Sequence, residues 1–117
     1  MGEKNQFEAF RSAMNRRILE TGSLSTRRFF HLDSQVYEEG ELPRKTKELL
    51  GLVASLVLRC DDCVKYHLLE CRKEGWSRTA IMEACDIALV VGGSIVIPAF
   101  RRAVAFLDEL DEEEPRL

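Results

Sequence analysis

The chain has 117 residues, of which 45% are hydrophobic and 32% charged, with a net charge of −3. That length suits one domain over 1–117 with a modest core, and the composition is globular rather than disordered. The acidic balance gives no electrostatic footprint for nucleic acid or an anionic membrane, and the pairs Arg27–Arg28 and Arg101–Arg102 read as solvated faces.

The start, MGEKNQFEAF, has no apolar core behind its charges, so it predicts no secretory signal. Gln6 stands where a myristoylation motif needs Ser or Thr. The longest apolar run, IALVVGGSIVIPAF over 87–100, is too short for a membrane span and is broken by Gly92, Gly93 and Pro98. The expectation is a cytoplasmic protein with no membrane contact. In a reducing cytosol, four cysteines point away from structural disulfides, and a close pair points to catalysis or metal binding.

Helical periodicity runs through almost the whole chain. Phe7, Phe10, Met14 and Ile18 predict a helix over 5–20 that closes at Gly22. Residues 1–24 read as an N-terminal helical extension. Ser25 is the expected cap of a second, short helix to Gln35 or Tyr37. After the loop 38–41, Pro43 suits the first turn of a strong helix to about 58. A fourth helix follows over 61–73, ended by Gly75. Ser77 caps a fifth through 91, and Gly92–Gly93 breaks it. Ser94 starts a last helix through 110, which can hold Pro98 only in its first turn. The acidic tail, 108–117, reads as the solvated end of that helix. No stretch alternates with period two, so the predicted fold is an all-α, compact bundle of five to six helices. The segments 46–58 and 81–100 are apolar on more than one face. A chain this small has no second layer to cover them, which predicts a homo-oligomer.

The stretch CDDCVKYH, residues 60–67, holds the chemistry. Cys60, Cys63, His67 and Cys71 resemble a zinc list, but one helix would spread the outer two about 16 Å apart, and zinc needs four donors within about 2.3 Å of one point. Metal is therefore the weaker reading. A C-x-x-C pair at a helix start can close into a small disulfide, and the first-turn amides favour a thiolate. His67 lies at i+4 from Cys63 and can carry the thiol proton. Asp61 and Asp62 either oppose a thiolate by their charge or point into solvent; the sequence leaves both open. Glu48 is the candidate carboxylate behind the base, because a charge in TKELLGLVASLVL needs a partner. It can reach the dithiol only if the chain reverses near Leu58–Arg59 and the two helices pack antiparallel. The other reading makes Glu48 an exposed residue beside Lys45 and Lys47. Cys71 and Cys85 read as small apolar core residues, and His31 as no participant.

Glu48, eleven residues, Cys60-Asp-Asp-Cys63, three residues and His67 together resemble the E-x11-C-x2-C-x3-H signature of the alkyl hydroperoxidase D-like proteins, within the carboxymuconolactone decarboxylase superfamily. The flanks GELPRKTKELLGLVASLVLRC and HLLECRKEGWSRTAIMEACDIALVVGG are similar to that family's lead-in helix and its following stretch. The resemblance covers about 28–110. It implies an all-helical oligomer, a trimer or hexamer, acting as a thiol-dependent peroxidase or disulfide reductase without metal or cofactor. By the same resemblance Cys63 attacks a hydroperoxide, His67 assists, Cys60 resolves the sulfenic acid and Glu48 relays protons. An external thiol reductant protein then restores the dithiol by thiol–disulfide exchange. The departure is Asp62. The best-known peroxidase members carry a histidine there, so this chain lacks one relay base and has an added negative charge. Two other readings stand beside this one: a non-catalytic oligomeric redox sensor or binding module, and, less favoured, a lactone decarboxylase, for which no cluster of cations is evident.

Overall fold

The computed structural model describes residues 2–113. Among them lie six α-helices, one 3₁₀ turn and no strand. The helices are α1 (Glu3–Thr21), α2 (Leu24–Val36), α3 (Arg44–Leu58), α4 (Asp61–Lys73), α5 (Arg78–Gly92) and α6 (Ile97–Glu113), with the 3₁₀ turn Ser94–Val96 before α6. The chain divides into two compact units between Glu38 and Glu39.

The first unit holds α1 and α2, neither of which buries a residue. Ser23, not Ser25, caps α2, its hydroxyl accepting the Thr26 N–H at 3.3 Å. Both serines have the chemistry of a cap. The choice is made by Gly22, which ends α1 through a 2.7 Å bond from its N–H to the Ile18 carbonyl and so brings the next helix in early. A Cβ on Gly22 would lie 2.7 Å from that carbonyl oxygen, closer than real contacts allow. His31 is exposed on α2.

The second unit carries the core. Leu52 and Leu56 from α3, Val64 and Leu68 from α4, Ile81 from α5, and Phe106 and Leu107 from α6 are almost wholly buried. α3 packs on α4 and α5, and α4 on α6. Pro43 is the N-cap of α3 rather than a residue of its first turn. Its missing N–H costs nothing there, since a cap residue donates no helical bond. Ser77 caps α5 as the spacing predicts, accepting from Ala80 N–H at 3.1 Å. The break between α5 and α6 falls at Gly93, whose φ of 82° and ψ of −169° belong to a region essentially reserved for glycine. Pro98 is tolerated because it is the second residue of α6. Trp76 staples the start of α3 to the α4–α5 turn: its Nε1–H donates to the Lys45 carbonyl at 2.7 Å, and the Lys45 ammonium lies 4.2 Å over its ring.

An ion-paired cluster ties α6 to α4 and α5. Asp111 accepts from Arg72 and, at 2.6 Å, from Arg78. Burial alone would raise the Asp111 pKa, but the Arg78 and Arg72 hydrogen bonds hold it below the ordinary carboxylate value. A depressed folded pKa contributes stability above the unfolded value, about 3.9, and that contribution is lost as pH falls through the folded value. Asp111→Asn should therefore lower stability at pH 7, by about 2 kcal/mol because Arg72 loses a charged partner. Urea unfolding should show the deficit shrinking below about pH 4. A deficit that stays constant down to pH 2 would remove the ion-pair account.

No helix among the described residues is long and apolar enough to cross a membrane. The second unit nonetheless exposes Leu50, Leu58, Ile87, Val90, Val91 and Ile95, each more than half accessible. This is the surplus apolar surface that the patterning of 46–58 and 81–100 predicts.

Candidate redox site

The site begins with a chain reversal. α3 ends at Arg59, whose φ of 59° makes it the one non-glycine residue in the left-handed region among those described. The Arg59 N–H bonds to the Leu56 carbonyl at 3.0 Å and the Cys60 N–H to the Ser55 carbonyl at 3.1 Å. These bonds satisfy carbonyls left open at the helix end. Cys60 follows at once as the N-cap of α4, so two residues separate the helices. α4 then runs back antiparallel to α3, as the pairings of 44 with 70 and 74 and of 48 with 67 require.

Cys60 and Cys63 are joined by a disulfide with Cα atoms 5.3 Å apart. The Cys63 N–H donates to Cys60 Sγ at 3.3 Å, so the N-cap sulfur occupies the place a serine or aspartate oxygen takes in ordinary caps. Cys63 is exposed and Cys60 half-buried. One helical turn further along α4, His67 is buried and its Nδ1 lies 2.8 Å from Glu48 Oε1. With a carboxylate as partner, Nδ1 carries the hydrogen and donates, which leaves Nε2 as the basic nitrogen of the neutral ring.

Glu48 is wholly buried, so the reading that made it an exposed neighbour of Lys45 and Lys47 is overturned. The helical period turns 48 inward with Leu52 and Ser55, away from the flanking lysines. Its second oxygen, Oε2, lies 3.3 Å from Arg44 Nη2 without the alignment of a hydrogen bond. Arg44 also reaches Glu70 at 3.4 Å and Glu74 at 3.5 Å. Burial alone would lower the Arg44 pKa, but Glu48 and Glu70 together raise it above its ordinary value. Arg44 is the residue of this cluster that the sequence reading passed over. Its position four before Glu48 was the signal, an i,i+4 pair of opposite charge.

The chain belongs to the carboxymuconolactone decarboxylase family. The family model matches residues 23–109. The fold is that of a Thermotoga maritima protein, TM1620, 60% identical over 93% of this chain and 92% of that one, with a TM-score of 0.90. That protein is described as a carboxymuconolactone decarboxylase family member with a suggested part in an antioxidative response. A second family member, apo-lpg0406 of Legionella pneumophila, is 21% identical, covers 91% of this chain and 95% of that one, and has a TM-score of 0.77; it shares the fold. An uncharacterized protein of the cox locus of Paracoccus denitrificans is 31% identical over 71% of this chain and 75% of its own length. The all-α, alkyl hydroperoxidase D-like architecture expected from the signature is therefore the observed one.

The fold brings Glu48 and His67 into direct contact and places Cys63 one turn before His67 on α4, with Cys60 bonded to it from the N-cap. Cys71 and Cys85 are both free and buried. Burial first, then the charge of Glu48, pushes the Cys71 thiol up to about 12, and burial with Asp86 pushes Cys85 up to about 11. Both are neutral thiols packed in the core. Among the described residues no group of three or more His, Cys, Asp or Glu side chains is placed to hold a metal ion.

Proposed function

We propose that this family member is a thiol-dependent oxidoreductase of a reducing compartment, cycling Cys60 and Cys63 between dithiol and disulfide while it reduces a hydroperoxide or a partner's disulfide. The observation that carries the reading is the buried Glu48–His67 hydrogen bond one helical turn from the Cys60–Cys63 disulfide. In the reduced protein, His67 Nε2 takes the Cys63 proton. The Cys63 thiolate attacks the peroxide, the O–O bond breaks, and His67 returns the proton to the departing alkoxide. Cys63 is left as a sulfenic acid. Cys60 attacks it, the disulfide forms and water leaves. A reductant thiolate then attacks one sulfur of the disulfide. The exposure of Cys63 makes it the accessible target, and the Cys63 N–H offers Cys60 Sγ a hydrogen bond as it leaves. A second reductant thiol completes the return to dithiol.

Asp62 is exposed, where peroxidase relatives of the family have a histidine. With one relay base fewer and one negative charge more, the peroxide step is expected to be slow, and a partner's disulfide stands as the alternative substrate. The exposed apolar face of α3 and α5 supports the further reading that the working form is a homo-oligomer.

The test is a thiol count on the fully reduced protein before and after one equivalent of hydrogen peroxide, with peptide mapping. The expected result is loss of two thiols as the Cys60–Cys63 disulfide, with Cys71 and Cys85 still free. Four thiols unchanged would eliminate peroxide as the oxidant, and failure to oxidise with a small disulfide as well would eliminate the redox reading.

A further inference from the structure

Asp61, the first residue of α4, directly follows Cys60 in the chain. Its Oδ2 forms an ion pair with Arg102 Nε of α6 at 2.8 Å. Its Oδ1 is buried and has no hydrogen-bond partner. A carboxylate in that place opposes the negative charge of a thiolate at the N-terminus of α4. Arg102 supplies the compensating charge, although 41 residues separate the two in sequence.

We propose that Arg102 is a positioning residue that sets the poise of the Cys60–Cys63 couple, by holding and neutralising the Asp61 carboxylate beside the dithiol. The inference rests on the redox reading above. It concerns the equilibrium of the couple and not its oxidant. Reduction of the disulfide by two electrons and two protons gives two thiols, and near or above ordinary thiol pKa values part of that product is thiolate. The reduced form is thus the one that feels the neighbouring charges. Removing Arg102 leaves Asp61 uncompensated and disfavours the reduced form. Removing the Asp61 charge leaves Arg102 free to favour it. The other charged or titratable groups around the site are Asp62 and His67 on α4, Glu48 with its partner Arg44 on α3, Glu70 and Glu74 that pair with Arg44, and the α3 cap residue Arg59, and they are common to all the variants.

The experiment is an equilibrium titration of the intact protein against reduced and oxidised glutathione at pH 8.5, with the dithiol fraction read by mass after alkylation. Arg102→Ala should shift the exchange constant toward disulfide by about fivefold, the order expected of one partly solvated unit charge next to the dithiol in the chain. That factor corresponds to about 20 mV for a two-electron couple. Asp61→Asn should shift it the opposite way, Arg102→Lys should restore most of the effect, and Asp61→Asn with Arg102→Ala should return near the wild-type value. Equal constants for all variants, or shifts of the same sign in both single variants, would overturn the proposal. A wild-type protein that exchanges with glutathione but never consumes peroxide would leave this proposal standing and fail only the peroxidase step. A wild-type disulfide that glutathione cannot open at any ratio would fail the redox reading itself.

Discussion

Cys63→Ser is expected to abolish peroxide consumption, with a loss of at least about 10³-fold, while far-ultraviolet circular dichroism and melting stay near wild type. Serine is a far weaker nucleophile toward peroxide oxygen, because its hydroxyl stays protonated where a thiol ionises. The fold is not expected to suffer. Cys63 is exposed in the first turn of α4, and serine suits a helix start. Cys60→Ser should behave differently, losing one thiol to a sulfenic acid that an electrophilic trap captures, with no intramolecular disulfide. If Cys63→Ser consumes peroxide at the wild-type rate, the attacking sulfur has been assigned to the wrong residue. Loss of the first step in Cys60→Ser alone would identify Cys60 as the nucleophile.

Glu48→Gln should slow the same reaction by about 10²-fold, within the range ascribed to general acid–base catalysis. The amide oxygen can still accept from His67 Nδ1, so the ring keeps its place. What is lost is the negative charge that stabilises the imidazolium formed when His67 takes the thiol proton. The Arg44 guanidinium retains Glu70 and Glu74, so the variant is expected to fold. Stopped-flow thiol oxidation measures the effect. A full wild-type rate in a folded Glu48→Gln protein would reduce Glu48 to a packing role and leave His67 without its relay.

Much of this was legible from side-chain spacing, because the relevant physics is local. The helix period places 48 on the inner stripe of α3, and i+4 places His67 one turn from Cys63. The αL reversal at Arg59 was only a condition on the sequence reading: Glu48 could matter if the chain turned there. Nothing local selects that conformation for an arginine, whose left-handed backbone costs about 1–3 kcal/mol; the packing of α3 on α4 imposes it. The Asp61–Arg102 pair was invisible for a related reason. Arg101–Arg102 looks like a solvated pair in the sequence, and only the packing of α6 on α4 brings one of the two onto Asp61, the neighbour of Cys60. The cap of α2 was misplaced by two residues because two serines offered equivalent hydrogen bonds and the steric demand at Gly22 chose between them.

The disulfide closes on residues only three apart in sequence. A cross-link of that span restricts very little of the unfolded chain, and the stabilisation a disulfide confers grows with the loop it closes. The bond therefore has little structural duty. In the redox cycle proposed above, the bond can therefore open and close while the architecture is held by Leu52, Leu56, Phe106 and their neighbours, which take no part in the exchange.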